Sequence, residues 1–291
     1  MKCLIDADIL SYEISAAGQF KEIDELTGEE VLVIRDFQAV ADLFDQRIKE
    51  IEGECWATEP STLYLTGDER LFRSINRKRR RNGEEELKEF KDNFRKQVAK
   101  TKEYKGHRKA EKPFHFHNLR EYMLHHYNVV VAMGVEADAL IAIEMPGRDD
   151  VICCTRDKDL RMVEGMHFGW PCGAQPQYGP KRVDNLGHLY YDEEKNKLTG
   201  EGYLFFCSQL ITGDSTDNIP GLPRGGPRLA FELLHDAPNE SEALNRVEEC
   251  YATKLGQDYN EYFEEQRMLL WMLRELPEGA SYEVFSNQVQ S

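Results

Sequence analysis

The sequence lacks the features of several well-marked protein classes. No run of about 18 uncharged apolar residues exists, and the first residues, MKCLIDAD, lack the basic start and apolar core of a signal peptide. The seven cysteines include no CxxC pair, so neither a zinc ribbon nor a thioredoxin-like redox motif is indicated. We therefore expect a cytoplasmic protein with no membrane partner, whose cysteines are buried and reduced.

An overall excess of positive charge is also absent. The net charge of −16 argues against a nucleic-acid partner, because phosphate contacts dominate such affinity. The average conceals an asymmetry, however. From Arg70 to Lys112 there are 17 Lys and Arg against 7 Asp and Glu, a net charge of +10, whereas the remainder carries −26. A basic segment within an acidic body indicates nucleic-acid binding better than the overall charge does.

Closely spaced acids end four short apolar runs. The pairs are Asp6 and Asp8, Glu136 and Asp138, Asp157 and Asp159, and Asp214 and Asp217. Acids gathered just past buried strands cost electrostatic energy unless cations neutralise them. Four such pairs therefore indicate a carboxylate cage for divalent metal.

Apolar periodicity predicts an α/β fold with a central, mostly parallel twisted sheet flanked by helices. The runs KCLI, STLYLT, NVVVAM and DVICCT are predicted to be buried strands, and residues 37–51 and 136–143 have helical spacing. Ligands of such sheets collect beyond the carboxyl ends of the strands. Asp6, Asp68 and Asp157 each follow a predicted strand, so we expect them at that one edge.

The chain is predicted to divide into residues 1–200, an α/β core, and residues 201–291, a helical region with a helix–hairpin–helix at about 213–235. Residues 73–112, named the arch segment, are predicted to form a solvent-facing helix or helical hairpin over the cleft. The basis for this helix is the spacing of four between Phe90, Phe94 and Val98. The apolar stretches after residue 240 predict two further helices that close the core.

Six motifs, in family order, resemble those of the phage and bacterial 5′-nucleases: flap endonucleases, 5′→3′ exonucleases and the nuclease domains of bacterial DNA polymerases. They are LIDAD, GD at 67–68, YKGHR at 104–108, GVEADAL, TRDKDL and GDSTDNIPG. Any one match is weak, but six in the right order are specific. The chain resembles the phage members most, and the resemblance implies a PIN-like core, a basic helical arch and a monomer.

The resemblance implies a catalytic site for two divalent ions, Mg²⁺ or Mn²⁺. Mg²⁺ prefers carboxylate and water oxygens, which agrees with many acids and no required His or Cys. The implied metal ligands are Asp6, Asp68, Glu136, Asp138, Asp157 and Asp159 around one ion, and Asp214 and Asp217, with Asp159, around the other. Asp157 and Asp159 are also implied to be catalytic. Asp8 is left open, as a ligand or as a neighbour of ligands.

The resemblance also implies the residues that contact DNA. Lys105 and Arg108, three apart on a predicted helix, would contact the scissile phosphate and assist catalysis, and Tyr104 would stack on an unpaired terminal base. Further predicted DNA-binding residues are Arg77, Arg79, Arg80, Gly221, Arg224, Gly226 and Arg228.

The hairpin departs from the family pattern. Where the family has G-V-P-G-I-G-P-K-T-A, this chain has GLPRGGPRLA, with Arg224 in place of a Gly and Arg228 in place of a Lys. The turn is expected to persist, and the two arginines would partly replace the lost phosphate contacts. Binding of K⁺ at the hairpin, which the family implies, is left open by this difference.

The predicted function is metal-dependent hydrolysis of DNA at or near a 5′ end, flap or nick. A haloacid-dehalogenase-like phosphatase also has D-x-D after its first strand, but Leu10 and the spacing of Asp214 and Asp217 do not match that pattern. A non-catalytic DNA-junction binder would have little use for the full acid set. Action on RNA–DNA hybrids stays open, because backbone contacts do not identify the sugar.

Overall fold

The protein is described by a computed structural model over residues 1–107 and 110–286. In chain order the elements are β1 (Lys2–Asp6), α1 (Ala7–Ala17), β2 (Gln19–Ile23), β3 (Glu30–Ile34), α2 (Phe37–Glu54), β4 (Thr62–Thr66), α3 (Glu69–Arg81), α4 (Arg95–Val98), α5 (Phe116–His126), β5 (Asn128–Met133), α6 (Ala137–Glu144), β6 (Val151–Cys154), β7 (Gly165–Gly169), β8 (Tyr178–Val183), β9 (His188–Asp192), β10 (Lys197–Glu201), α7 (Gly202–Thr212), α8 (Pro227–Leu234), α9 (Glu240–Leu255), α10 (Tyr259–Leu270) and β11 (Ser281–Phe285). Short 3₁₀ turns lie at Asp159–Met162 and Gly256–Asp258.

A seven-stranded sheet with the order β11-β5-β4-β1-β6-β7-β8 forms the centre of the protein. Its five inner strands run parallel, and β11 and β8 pair antiparallel at the two edges. The four strands predicted from apolar runs are the neighbours β5, β4, β1 and β6. The predicted fold class, a mostly parallel sheet flanked by helices, is therefore confirmed.

Side chains of the central strands alternate between two apolar layers, as the two-residue period of a strand requires. Cys3 and Ile5 of β1 pack in a layer with α1, α2 and α5, whereas Leu4 packs in the opposite layer with α6, α7 and α9. Cys153 and Cys154 likewise point to opposite layers. Both faces of the sheet are thus covered, which explains why its strands read as continuous apolar runs.

The arch segment differs from its prediction. Helix α3 extends to Arg81, but residues 84–93 contain no helix, and the four-residue α4 is the next helical turn. Phe90, Phe94 and Val98 pack partly buried against the two apolar layers. The predicted helix is present only as the single turn from Phe94 to Val98, and it is wrong at Phe90, which lies in the irregular stretch before that turn.

The C-terminal part agrees with the sequence pattern. Helices α7 and α8 pack together, and the turn between them starts at Gly213, whose φ of +70° suits glycine. Helices α9 and α10 follow as predicted and complete the layer on the α6 side of the sheet. The division of the chain at residue 200 stays a prediction. Among the described helices, none is both long and apolar enough to cross a membrane.

Candidate metal centre

The sheet topology collects the acidic motifs. Strands β1, β4, β5 and β6 run parallel, and an acid follows or ends each of them: Asp6 at the end of β1, Asp68 two residues after β4, Glu136 after β5 and Asp157 after β6. Because the carboxyl ends of parallel strands meet at one edge, the motifs converge there. The turn after α7 contributes Asp214 and Asp217 to the same place.

Thr155 ties the acids of β1 and β6 together. Its hydroxyl donates to Asp6 Oδ2 at 2.9 Å and accepts the backbone N–H of Asp157, also at 2.9 Å. Asp157 Oδ1 in turn accepts the N–H of Asp159 at 2.9 Å. The turn after β6 therefore fixes Asp157 and holds Asp6 beside it.

Glu136 is held by cationic and hydroxyl groups of the arch segment. Tyr104 Oη lies 2.7 Å from Glu136 Oε2 and 2.8 Å from Asp217 Oδ2, so one hydroxyl joins the two predicted metal groups. Lys105 Nζ hydrogen-bonds Glu136 and lies 3.6 Å from Asp217. Arg95 Nη1 approaches Glu136 Oε2 at 3.3 Å. The arch segment thus supplies most of the positive charge on this side of the site.

Lys158 has the same role on the other side. Its ammonium lies 2.8 Å from Asp214 Oδ2 and 3.4 Å from Asp159 Oδ1. Asp214 Oδ1 also accepts the N–H of Thr216 at 2.7 Å, and Gln209 of α7 donates to Asp159 at 2.8 Å. These contacts join the turn after β6 to the turn after α7.

Among the described residues, Asp6, Asp138 and Asp157 form no ion pair with a Lys or Arg, and their pKa values are raised. Burial, together with the charges of neighbouring acids, raises the pKa of Asp157 to about 7 and that of Asp138 to about 6. The same causes raise the pKa of Asp6 well above its usual range. Asp138 Oδ1 is buried and has no hydrogen-bond partner among the described residues. A cation is the one kind of group that would satisfy all three carboxylates together.

Two acids with a lysine neighbour, Glu136 and Asp214, behave in the opposite way, whereas burial raises the pKa of Asp159 in spite of Lys158. Burial alone would raise the pKa of Glu136, but the charges of Lys105 and Arg95 lower it to about 2. Likewise, the hydrogen bond and charge of Lys158 overcome burial and lower the pKa of Asp214. The site is therefore a set of carboxylates of which only part is neutralised by the protein, and this donor set fits Mg²⁺ or Mn²⁺.

Asp68 and Asp8 are bound by a residue that the sequence did not single out. Arg120 of α5 is 3% exposed, hydrogen-bonds Asp68 and the carbonyl of Thr66, and lies 3.4 Å from Asp8 Oδ1. Asp68 also caps α3 by accepting the N–H of Leu71 at 2.7 Å. The carboxylates of Asp68 and Asp8 both face this guanidinium. Either acid would therefore have to bind a metal ion while it also contacts Arg120.

The YKGHR motif differs from its predicted geometry. Residues 104–107 form a turn, and Lys105 has a φ of +55°, so the predicted helix carrying Lys105 and Arg108 is wrong at Lys105. Arg108 lies outside the described residues. Tyr104 is 5% exposed, which leaves no face of its ring for a stacked base unless this turn moves. The turn is fixed by the carboxylates themselves, since Glu136 and Asp217 bind both Tyr104 and Lys105.

The predicted DNA-binding arginines lie in different environments. Arg77 is exposed and lines a surface groove of about 340 Å³ with Arg70, Arg73, Ser74 and Glu121. Three others within the described residues are paired with a glutamate: Arg79 with Glu283 at 2.6 Å, Arg80 with Glu86 at 2.8 Å and Arg228 with Glu232 at 2.8 Å. Arg224 is exposed in the hairpin turn, with a φ of +58°. Arg77 and Arg224 are therefore the better placed for a phosphate.

Of the two hairpin glycines predicted to bind DNA, Gly221 has a structural reason to be glycine, whereas a Cβ at Gly226 would meet open space. Gly221 has a φ of +65°, and a Cβ there would lie 2.3 Å from the backbone nitrogen of Gly213. Gly226 precedes the first residue of α8. Helix α10 holds the turn from behind: Gln266 accepts the N–H of Gly221 at 3.0 Å, and Tyr262 donates to its carbonyl at 2.6 Å.

Three cationic residues of the site were missed at the sequence level. Arg95 is 2% exposed and donates to the carbonyls of Leu269 and Trp271, at the end of α10, as well as to Glu136. Lys158 lies between two motif acids, and that position was the available signal for it. Arg95 and Arg120 lie among ordinary helical or charged residues, and only the packing brings them to the acids.

Comparisons with known proteins agree with this geometry. No family model matches the chain. It is 36% identical over 80 residues to the flap endonuclease Xni of Shewanella halifaxensis (strain HAW-EB4), a match covering 26% of this chain and about a third, 32%, of that protein. In structure it resembles the bacteriophage T5 flap endonuclease, crystallised in a pseudo-enzyme–product complex with DNA and metal ions. The TM-score is 0.57 at 15% identity, over 92% of this chain and 88% of that one. The resemblance to the 5′-nucleases is therefore confirmed, and this chain has their α/β fold.

Proposed function

We propose that the protein is a divalent-metal-dependent 5′-nuclease that hydrolyses DNA at or near 5′ ends, flaps or nicks. The observation that carries this proposal is the acid cluster, in which buried Asp6 and part-buried Asp138 and Asp157 lie together and form no ion pair among the described residues. A binding protein gains nothing from such a costly arrangement. A metal-dependent hydrolase uses it.

Two ions fit the donor set better than one. Asp6, Asp138 and Asp157 would hold the first with Glu136, and Asp159, Asp214 and Asp217 would surround the second. Divalent ions bound there would supply Lewis-acid stabilisation and a hydroxide at neutral pH. The ions Mg²⁺ and Mn²⁺ both suit oxygen ligands. K⁺ at the hairpin stays a prediction from the family resemblance.

The chain's own residues would position the substrate. Lys105 and Lys158 lie beside the carboxylates. Once bound divalent ions neutralise these acids, each lysine could pair with a phosphate of the substrate instead. Arg77 in the surface groove and Arg224 in the hairpin would contact phosphates further along the backbone. Such contacts position the nucleic acid without reading its bases.

The proposal is tested by digestion of three 5′-labelled substrates with Mg²⁺: a blunt DNA duplex, a 5′-flap and an RNA–DNA hybrid. Each reaction is paired with an EDTA control and with the Asp157→Ala protein. Mononucleotides from the blunt duplex indicate an exonuclease, and cutting at the flap junction indicates a structure-specific endonuclease. Cleavage of the hybrid alone would redirect the proposal to RNA.

Absence of any metal-dependent product would contradict the proposal. Tight flap binding without cleavage would then favour a DNA-junction binder. Release of inorganic phosphate from a small phosphate monoester, lost in Asp6→Asn, would favour the phosphatase, whose first aspartate acts as a nucleophile.

A further inference from the structure

Three cysteines from distant parts of the chain meet inside the protein. Cys3 lies on β1, Cys55 directly after α2 and Cys154 at the end of β6, and their sulfur atoms all lie within 4.8 Å of one another. The Sγ atoms of Cys55 and Cys154 are 3.7 Å apart. Each of the three residues is at most 1% exposed.

The strand register explains why the three thiols share a pocket. Cys3 pairs with Ile152 and Ile5 pairs with Cys154 across the β1–β6 ladder, so Cys3 and Cys154 lie on the same face of the sheet. That face is covered by α2, whose last turn delivers Cys55. Cys153 points to the opposite face, in the other apolar layer.

The pocket offers three sulfurs and the buried hydroxyl of Ser61, which hydrogen-bonds Cys3. Its surroundings are the apolar layer that contains Ile5, Ile152 and Leu63, and the described residues place no histidine or carboxylate in the three-thiol group. Hydrogen bonds from the thiols of Cys154 and Cys55 lower the pKa of Cys3 to about 4, whereas burial and the hydrogen bonds to Cys3 raise the pKa of both Cys154 and Cys55. The N-terminal ammonium, bonded to Thr58 at 2.7 Å, contributes positive charge near Cys3.

We propose that Cys3, Cys55 and Cys154 form a trigonal site for one soft, thiophilic metal ion, of which Cu⁺ is the representative. Three sulfurs around one ion at a metal–sulfur distance of about 2.3 Å would be about 4.0 Å apart, which agrees with the spacing of these thiols. Thiolates select soft ions, whereas Mg²⁺ requires oxygen. Zn²⁺ prefers a fourth ligand, which this group lacks.

The site would act as a cross-link between strands. Cys3 and Cys154 each precede an acid of the candidate metal centre by three residues, Asp6 on β1 and Asp157 after β6. An ion bound by all three sulfurs would join β1, β6 and the end of α2. It would therefore stabilise the strands that position the acids without taking part in cleavage.

The test uses the full-length, reduced, metal-free protein. Cu⁺, supplied anaerobically as its acetonitrile complex, is added both to the folded protein and during refolding from urea, because the sulfurs are buried. We expect one copper per chain after gel filtration, an ultraviolet thiolate-to-metal charge-transfer band, and a higher Tm. Uptake below about one tenth of an equivalent in both procedures would overturn the proposal.

Variants assign the ligands. Cys55→Ala should reduce copper uptake at least tenfold and remove the charge-transfer band. Cys153→Ala and Cys207→Ala are the matched controls, since both residues are fully buried cysteines outside the pocket, and they should retain one copper per chain. Equal loss in Cys55→Ala and in either control would overturn the assignment.

A measurement on the unsubstituted protein keeps the proposal falsifiable if a variant misfolds. X-ray absorption at the copper edge should show three sulfur neighbours in a single shell. A shell of nitrogen or oxygen, or a Cys55–Cys154 disulfide in the anaerobic copper-treated protein, would overturn it. Activity on a DNA flap is not part of this test, so its outcome is independent of the proposed nuclease function.

Discussion

The acid cluster contains two halves that are neutralised differently, although both consist of carboxylates. One half is Glu136 and Asp214, and the other is Asp6, Asp138 and Asp157. Around Glu136 and Asp214 the chain supplies Lys105, Arg95 and Lys158, and the pKa values of these two acids fall. Asp6, Asp138 and Asp157 form no ion pair among the described residues, and their pKa values rise. The difference separates the acids that the protein neutralises itself from those that we propose a bound ion neutralises.

The largest effect is expected when a carboxylate is removed from the half that contains Asp6, Asp138 and Asp157. Asp157→Ala should slow cleavage by roughly 10³-fold, because metal-bound hydroxide and charge stabilisation depend on this half. Initial rates on a 5′-flap at saturating Mg²⁺ measure the effect. Asp24→Ala, at an exposed turn, is the control and should cut normally. A rate within tenfold of the unsubstituted protein in a folded Asp157→Ala would refute the site assignment.

Removing a cation from the other half should make it resemble the first. Lys105→Met should slow cleavage roughly 10²-fold, as loss of one preorganised charge contact typically does. Because the ammonium of Lys105 is paired with Glu136 and would compete with a metal ion for that carboxylate, the same variant should bind Mg²⁺ several-fold more tightly. Calorimetry and single-turnover rates separate the two effects. Lys96→Met, at an exposed lysine paired with Asp92, is the control, and weaker Mg²⁺ binding by Lys105→Met would argue against competition.

The contrast also predicts how pH affects the metal-free protein. Since burial and Asp159 raise the pKa of Asp157 to about 7, the unfolded chain loses this proton near pH 4 while the folded chain keeps it. Folding stability is therefore lost as pH rises through this window. Asp157→Asn should lessen the fall in Tm between pH 5 and pH 8 by roughly 3–6 °C.

Saturating Mg²⁺ should remove the same pH dependence from the unsubstituted protein, because the bound ion would keep the carboxylates ionised. A Tm profile that is unchanged by both Asp157→Asn and Mg²⁺ would show that these acids are not frustrated. The low pKa of Glu136, about 2, has its effect below this range and does not disturb the measurement.

The smallest expected effect concerns the surface groove, which lies outside both halves. Arg77→Ala should weaken flap binding a few-fold and reduce the slope of log affinity against log salt by about 1, as loss of one phosphate contact predicts. Fluorescence anisotropy at several salt concentrations measures this. Lys195→Ala, on the β9–β10 hairpin, should change neither quantity. An unchanged salt slope for Arg77→Ala would remove the groove from the DNA path.

The sequence predicted the strands, the convergence of the acids and the hairpin because each depends on local pattern. Alternation of β1 and β6 between two covered faces produces apolar runs, and parallel strands bring Asp6 and Asp157 to one edge. The prediction did not extend to the cations. Arg120 on α5 and Arg95 in the arch segment reach the acids through tertiary packing, which has no period in the sequence.

The arch segment shows the same limit. The spacing of Phe90, Phe94 and Val98 fits a helix face, but only Phe94 and Val98 share a helical turn, and Phe90 packs against the other apolar layer from irregular backbone. Tertiary packing therefore overrode a local pattern of only three residues. The cysteines illustrate the converse, since correct burial predictions for Cys3 and Cys154 gave no indication that Cys55 would join them.

Helix α10 contacts both the hairpin and the arch segment, although it lies outside the acid cluster. It binds both polar groups of the Gly221 peptide through Gln266 and Tyr262, and its Glu265 accepts the N–H groups of Lys100 and Thr101, each at 2.7 Å, in the arch segment. Helix α10 thus connects the hairpin, which carries Asp217, with the arch segment, which carries Lys105. A partner or substitution that shifted α10 would change the spacing of Lys105 and Asp217 together, and cutting would respond to an event far from the DNA.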